Sequence, residues 1–323
     1  MWKDEYVRLM FPENIKDMEM ESAMKLKYAN IPTQLYKYRS VSNYSLENLV
    51  KDEIWFSPAN SLNDPYDCAL TISQNDFIEK RIKLATIRNI PDIIKNHNLE
   101  EIPNDKLTEL EKGDFVDVMK FVISLDKQLE GKNNEISKYA EAIKKTIDEF
   151  NDEHLARILE RSQGGTFISC FSEVNNSILM WSHYANSHTG FCVEYNFKKE
   201  GIDPILTRSL QPVVYSKEMF DLSNYLQEAS MNKKNFNNLI ITYAAIIKSL
   251  EWSYEKEWRI VFPIGSGAGF NRNFFQPGAI YLGTKMIERY KKIIIEIAEK
   301  KDIPVYQMEM KNNQFKLIAK RII

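Results

Sequence analysis

The chain of 323 residues contains few cysteines, and these are widely spaced: Cys68, Cys170 and Cys192. Such a set offers neither a disulfide framework nor a CxxC metal site. No segment approaches the roughly 20 apolar residues of a membrane span, and charges interrupt the N-terminal stretch where a signal peptide needs an apolar run. These absences count against a membrane or secreted protein and predict a cytoplasmic one.

The chain also lacks an excess of one charge. Its formal net charge is -2, which provides no bulk field for holding polyanions and gives no support to a nucleic-acid partner. No HExxH, P-loop or nucleophile elbow is present. The run GSGAG at 265–269 lacks the Lys and Ser or Thr of a phosphate loop, so we interpret it as a flexible connection.

Changes of composition along the chain predict an α+β fold. Residues 33–72 carry two β-rich runs, LYKYR and EIWFS, around a short helix, SLENLVK. Residues from about 75 to 162 are rich in Lys, Glu, Ile and Leu with apolar residues at helical spacing, which predicts a helical insertion ending at Gly164 and Gly165.

Further strands and helices follow this insertion. We predict strands at TFISCF, GFCVEYNF and EWSYEKEWRIVFPI, a helical piece over about 217–250, and a final helix followed by two paired strands, PVYQMEM and QFKLIAKRI. Helices thus interrupt a discontinuous mixed or antiparallel sheet. We expect one decorated domain over 1–323, with core strands at about 33–72, 164–262 and 303–323.

Half of the four histidines fall within MWSHYANSHTGFCVEY, residues 180–195. His183 and His188 are five residues apart, which does not place them side by side on one helix as metal ligands. One interpretation is a short helix with Met180, Trp181 and Tyr184 on its apolar edge, followed by a turn. The alternative is a pocket in which rings and imidazoles bind a planar or phosphorylated ligand.

A second candidate is the run EKEWR, residues 255–259. If the run is one strand, Glu255, Glu257 and Arg259 face one way. They could be ordinary salt-bridged surface residues. Equally, two carboxylates on one face raise the pKa of one of them, as acid/base sites exploit.

Two earlier runs supply candidates for binding residues. Tyr38 and Arg39 end the basic, aromatic run LYKYR, and a guanidinium can bind two phosphate oxygens at once. In SPANSLNDPYD, Ser57, Asn63 and Asp64 could contact a ligand or could form only a turn. A nucleophilic Cys170 or Cys192 with His183 is a further alternative, although both cysteines lie in apolar strand runs typical of small core residues.

Together, LYKYRS, IWFSPANSLNDPYDC, ISCFSE, LMWSHYANSHTGFCVEY and YEKEWRI, in this order, resemble the bacterial domain-of-unknown-function family numbered 2971. The resemblance covers residues 33–262 and implies no particular activity.

The order of Arg39, Ser57 or Ser169, and a Glu-x-Glu at 255–257 is similar to that of the Arg-Ser-Glu class of ADP-ribosyltransferases, although the compact Ser-Thr-Ser of that class is missing. This resemblance implies that NAD is consumed. Glu257 would stabilise an oxocarbenium-like state, Glu255 would orient the acceptor, and His183 would donate to a ribose hydroxyl or phosphate. The implied NAD-binding residues are Arg39, Tyr38, Ser57, Asn63, Asp64, Trp181, Tyr184, His188 and Arg259.

The residues leave two other functions open. A metal-dependent nuclease would use Asp64, Glu255 and Glu257 as Mg²⁺ ligands, because hard cations prefer carboxylates. A non-catalytic module, part of a bacterial stress or phage-defence system, would bind a nucleotide in the same pocket without turnover. Our primary expectation is an NAD-dependent enzyme that acts on a nucleotide-type molecule, without a protein-bound metal.

Overall fold

The chain divides into two compact units in a computed structural model that describes residues 2–71, 74–96, 99, 102–199 and 201–323. Unit 1 comprises Met1–Leu70, Glu160–Phe220 and Asn232–Ile323, and unit 2 comprises Thr71–Leu159 and Asp221–Met231. The mixture of helices with a mixed sheet confirms the α+β fold class.

Numbered in chain order, the strands are β1 Leu35–Arg39, β2 Glu53–Pro58, β3 Leu70–Thr71, β4 Thr166–Ser172, β5 Phe191–Tyr195, β6 Leu210–Pro212, β7 Val214–Ser216, β8 Phe220–Asp221, β9 Ile247–Ser249, β10 Glu257–Pro263, β11 Phe270–Asn273, β12 Ala279–Leu282, β13 Val305–Met310 and β14 Leu317–Arg321.

Unit 1 is built on a 10-stranded sheet in which the order β11-β2-β4-β1-β5-β12-β13-β14 is extended by β10, which pairs with β4 and β6. Its pairs are antiparallel except for β12 with β13. The parallel pair is joined by a long helix, as parallel neighbours require.

The helices of the chain are α1 Trp2–Met10, α2 Met20–Asn30, α3 Asn43–Lys51, α4 Gln74–Asn96, α5 Asn104–Lys112, α6 Phe115–Ser124, α7 Asn133–Gly164, α8 Ile178–Tyr184, α9 Pro204–Ser209, α10 Ser223–Met231, α11 Ile240–Ala244 and α12 Glu288–Lys300, together with short 3-10 helices at Ile15–Asp17, Ala59–Ser61, Lys127–Leu129, Lys233–Asn235 and Leu250–Glu255.

Strand alternation determines which side chains enter the core of unit 1. Phe191, Val193 and Tyr195 of β5 belong to the largest apolar cluster, whereas Cys192 packs on the opposite face. This alternation is that of a β-strand, whose successive side chains point to opposite faces, and it confirms the strand predicted at GFCVEYNF.

The sheet opens between β1 and β4. These strands are paired only at Tyr36 and Ser172. The rest of β1 pairs along its other edge with β5, and β4 pairs with β10 along its whole length. β2 takes the inner edge of β4 at Ile168 and Phe167, so the inner edge of β1 beyond Tyr36 and the stretch of β4 at 169–171 are left to line a cleft.

Unit 2 is helical, with α4 packed against α5, α6 and α10. Its core contains Ile90, Val118 and Ala140, all fully buried. Asp114 caps α6 and forms a reciprocal capping box with Asp117. The helical character predicted for about 75–162 is confirmed where the structure describes it; residues 97, 98, 100 and 101 lie outside the described residues.

Two predicted elements were wrong. The segment 217–250 is not one helical piece, since α10 and α11 are separated by a 3-10 helix and followed by β9. The strand at EKEWR begins only at Glu257, because Glu255 ends a 3-10 helix and Lys256 adopts a left-handed conformation, with φ 45°. In both segments, local turns override the average hydrophobic pattern.

No helix in the described part of the chain has the length and apolar character needed to cross a membrane.

Candidate functional site

A cavity of about 350 Å³ lies in unit 1, where β1 and β4 separate. Its wall combines aromatic rings, hydroxyl groups, cations and carboxylates. The lining residues are Tyr36, Lys37, Tyr38, Arg39, Ser40, Ser42, Ser45, Trp55, Ser57, Leu62, Asn63, Asp67, Ile168, Cys170, Phe171, Ser172, Met180, Tyr184, Lys248, Glu255 and Glu257. A concave site with a few convergent charged groups is the usual form of a small-molecule site.

Five buried charged side chains form a network at the wall of this cavity. Lys248 Nζ lies 2.6 Å from Glu255 Oε2, 3.0 Å from Glu257 Oε2 and 3.8 Å from Asp67 Oδ2. Arg259, which is fully buried, donates to Asp67 Oδ1 at 2.7 Å and to Glu257 Oε1 at 2.8 Å. Three carboxylates thus share two cations, and this compensates for much of the cost of removing the charges from water.

A local turn brings Glu255 next to Glu257. Because Lys256 adopts a left-handed backbone conformation, the chain turns between the end of the 3-10 helix and the start of β10. Ser172 Oγ donates to the Glu255 carbonyl oxygen at 2.6 Å, which ties this turn to β4. The two carboxylates share one environment as the sequence predicted, but through this turn and not through strand alternation.

The network separates the pKa values of the two glutamates. Burial, and then the charge of Glu257, raise the pKa of Glu255 to about 7. Burial would also raise the pKa of Glu257, but Arg259 and Lys248 hold it well below its usual range. Burial acts to lower the pKa of Lys248, yet the surrounding carboxylates outweigh it and raise that pKa. The pair therefore contains one carboxyl that titrates near neutrality and one fixed anion.

The two glutamates also differ in their spare hydrogen-bonding capacity. Tyr184 donates its hydroxyl proton to Glu255 Oε1 at 2.6 Å, and Lys248 donates to Oε2. Each oxygen of Glu255 keeps one acceptor site. Glu257 Oε2 accepts from both Lys248 and Arg259, at 3.0 and 3.1 Å, Oε1 accepts from Arg259 at 2.8 Å, and the Cys170 thiol is a further donor to this carboxylate. Glu255 is the more available group for a ligand.

Two cations of β1, Lys37 and Arg39, line the same cavity. Lys37 Nζ donates to Ser169 Oγ at 2.9 Å and to the Cys170 carbonyl at 3.1 Å. In the amide orientation that suits its neighbours, the side-chain oxygen of Asn48 accepts from Arg39 Nη2 at 3.2 Å. Burial lowers the pKa of Lys37 to about 8 and also lowers the pKa of Arg39.

Several of the predicted binding residues surround this cavity. Tyr38, Arg39, Ser57, Asn63 and Tyr184 line it together with both glutamates. Early, middle and late parts of the chain therefore meet in one cleft, while the proposed roles of these residues stay predictions.

Other predicted residues lie elsewhere. Asp64 caps its own turn, accepting from the Tyr66 amide at 2.9 Å. Trp181 is fully buried, donates to the Asn175 carbonyl and contacts the Tyr38 ring edge-on at 5.3 Å. Neither side chain lines the cavity. Asp64 thus belongs to the turn that was one of the two alternatives for its loop.

The two histidines and the arginine of β10 also lie outside the lining. The ring of His183 is exposed beside Tyr184 and Trp252. His188 Nε2 is 3.1 Å from Ser182 Oγ, in the turn after α8. Arg259 influences the cavity through its ion pairs with two lining residues, Asp67 and Glu257. The short helix and turn predicted for 180–190 are confirmed.

The cysteines of this region are poor nucleophiles. Burial raises the pKa of both Cys170 and Cys192 well above the ordinary value of a thiol. A thiolate is therefore disfavoured at both positions.

Sequence reasoning missed Asp67, Lys248 and Lys37 as members of the site. Lys248 had a usable signal, since it is a lone charge after the apolar run AAII, seven residues before Glu255. For the acidic loop, the sequence favoured Asp64, yet the acid that joins the glutamates is Asp67. Only the tertiary structure distinguishes the two.

The acidic cluster is arranged around a cation of the protein itself. Lys248 Nζ lies within 4 Å of all three carboxylates. Among the described residues, no group of three or more His, Cys, Asp or Glu side chains is arranged to hold a metal ion. The Asp64, Glu255 and Glu257 set of the nuclease alternative is not assembled, because Asp64 does not line the cavity.

Comparison with protein families gives a match in the second half of the chain. Residues 180–260 match the model of a family described as a protein of unknown function, DUF2971. No curated protein and no solved structure matches the chain significantly. The matched segment contains Tyr184, Lys248, Glu255 and Glu257 of the cavity, whereas Asp67 and β1 lie outside it.

Proposed function

We propose that the cavity binds NAD and that its two glutamates promote cleavage of the bond between nicotinamide and ribose. The observation that carries the proposal is the presence, in one cleft, of a carboxylate pair with separated pKa values and of two cations, Lys37 and Arg39, that have no carboxylate partner among the described residues. Aromatic rings of Tyr36, Tyr38 and Tyr184 supply the apolar part of the wall.

The chemistry assigns different tasks to the two acids. As the bond between C1′ and the pyridinium nitrogen breaks, nicotinamide leaves with the electron pair and positive charge develops on the ribose. The fixed negative charge of Glu257 stabilises that charge. Ionised Glu255 takes the proton of the attacking group, which forms the new bond to C1′. With water as acceptor, the products are ADP-ribose, nicotinamide and one proton.

Nicotinamide release tests this function directly. Purified protein is incubated with NAD, with and without cell extract, and free nicotinamide and ADP-ribose are separated by chromatography. We expect release by the wild-type protein and a loss of at least about 100-fold with Glu255→Gln, the typical contribution of a general base. Glu251→Gln is the matched control, because Glu251 is exposed on the same 3-10 helix. If the wild-type protein neither releases nicotinamide nor binds NAD, the proposal is wrong.

A non-catalytic nucleotide-binding module is the second candidate. This second function is favoured because cations of the protein already compensate for the charge of Glu257. Lys248 and Arg259 occupy most of its acceptor sites. Calorimetric titration with NAD separates the two functions. Saturable binding with intact NAD after prolonged incubation, in wild type and Glu255→Gln alike, would favour the module.

A further inference from the structure

Lys37 and Arg39, the two cations of β1, lie close to each other on the largely buried wall of the cavity. Lys37 and Arg39 are two residues apart on one strand, so their side chains leave the same face. Burial, and then the charge of Arg39, lower the pKa of Lys37, and Cys170 and Glu257 oppose this lowering only in part. Among the described residues, neither side chain forms an ion pair with a carboxylate. Burying two cations near each other costs free energy, and an anion bound between them would offset that cost.

Both cations also keep donors for a ligand. An ammonium has three N–H donors, and Lys37 uses two of them on Ser169 and Cys170. A guanidinium has five donors, of which Arg39 places one on Asn48. Because Lys37 and Arg39 both line the cavity, their remaining N–H donors are available to a bound ligand.

The first turn of α3 adds a third source of positive potential. Ser42 is the N-cap of this 9-residue helix, its side chain accepts from the Ser45 amide, and both serines line the cavity. The N-terminus of a helix carries a partial positive charge that favours anions. Lys37 and Arg39 have Cα atoms about 7 Å apart on an extended strand and contact different neighbours, Ser169 and Cys170 for Lys37 and Asn48 for Arg39, so we expect each cation to engage its own phosphoryl group.

We infer that Lys37 and Arg39, with the first turn of α3, form a diphosphate-binding site at the β1 side of the cavity. Lys37 is thereby a ligand-binding residue that neither the sequence motifs nor the family match identifies. The inference rests on the proposed function for the identity of the whole ligand, and it deepens that function by naming the group held at this end.

Binding of inorganic pyrophosphate tests the site without any bond cleavage. In isothermal titration at low salt, we expect pyrophosphate to bind at least about tenfold more tightly than inorganic phosphate, because only the larger anion engages both cations. Lys37→Gln and Arg39→Gln, which keep polar donors and lose the charge, should each weaken pyrophosphate binding about tenfold or more. Lys217→Gln, at an exposed position of unit 1, should bind like wild type.

Thermal unfolding first establishes whether each variant is folded. If Lys37→Gln is not folded, the inference is tested by Arg39→Gln and by the comparison of pyrophosphate with phosphate in the wild-type protein. Wild-type protein that binds pyrophosphate no better than phosphate, or not at all, overturns the inference. So does a folded variant of either residue that binds as wild type does. Pyrophosphate binding without nicotinamide release would leave this site intact and refute only the proposed cleavage, whereas nicotinamide release without pyrophosphate binding would refute only the site.

Discussion

Glu255 and Glu257 accept hydrogen bonds from the same ammonium, that of Lys248, at 2.6 and 3.0 Å. Two buried carboxylates this close cannot both ionise cheaply unless cations compensate for them. Arg259 contacts only Glu257 of the two, so the compensation is unequal, and Glu255 is left as the group that gains a proton near neutral pH.

Glu255 should make the stability of the protein decrease as the pH rises. Its pKa is about 7 in the folded protein, above the ordinary value of 4.5. The folded state therefore holds more protons, and the contribution is fully present below about pH 4.5 and is lost as the pH rises to about 7. A shift of this size corresponds to about 3 kcal/mol. The contribution of Glu257 to stability has the opposite pH dependence, because its pKa is lowered in the folded protein. This contribution is present above about pH 4.5 and is lost as the pH decreases below that value.

Urea denaturation of wild type and Glu255→Gln at about pH 5 and about pH 8 measures this contribution. The free energy of unfolding should fall more between the two pH values in wild type than in the variant. Glu251→Gln should behave like wild type. Equal pH dependence in wild type and Glu255→Gln would contradict a raised pKa.

Arg259→Met should strongly destabilise the protein. Arg259 is 0% exposed and is paired with Asp67 and Glu257, which would lose this cation in the variant. Loss of one partner of a buried pair costs about 3 to 5 kcal/mol. Arg272→Met breaks the half-exposed pair with Asp203 and should cost at most about 1 kcal/mol. Chemical denaturation compares the two, and similar costs would show that the buried network contributes little.

Lys27→Met should weaken the junction between α9 and β6. The buried ammonium of Lys27 donates to the carbonyls of Thr207, Arg208 and Leu210 at 3.2, 2.7 and 2.8 Å. Met preserves the length of the side chain but leaves these acceptors without their donor, at a cost of about 2 kcal/mol. Lys25→Met, on the exposed face of the same helix, should change stability by less than about 0.5 kcal/mol. An unchanged unfolding midpoint for Lys27→Met would contradict this structural role.

Gly190→Ala should disturb the approach of β5 to β1. A Cβ at Gly190 would lie 2.2 Å from the carbonyl oxygen of Arg39, which is backbone and cannot rotate away. We expect a loss of about 2 kcal/mol or more in thermal or chemical unfolding. Gly267→Ala is the control, since its Cβ would meet only Phe167 at an ordinary 3.5 Å. If both variants are equally stable, the close approach at Gly190 is not required.

The amino-acid sequence by itself determined the local elements with strong periodicity. The alternation in β5, the helical pattern that ends at Gly164 and the hairpin of β13 and β14 all follow from side-chain spacing, which depends only on neighbouring residues. The sequence also offered Arg39, Tyr184, Glu255 and Glu257 as candidates, and the structure places all four at one cavity, while their roles stay predictions.

Only the tertiary structure decided how the site is assembled. Lys248, Asp67 and Lys37 join the cavity because β1 and β4 separate after one pair and because a left-handed Lys256 turns Glu255 back toward β10. Such positions depend on strand register and on contacts between distant segments, and the same applies to the choice of Asp67 over Asp64. Spacing along the chain carries no information about either, since charge compensation acts through space between residues almost two hundred positions apart.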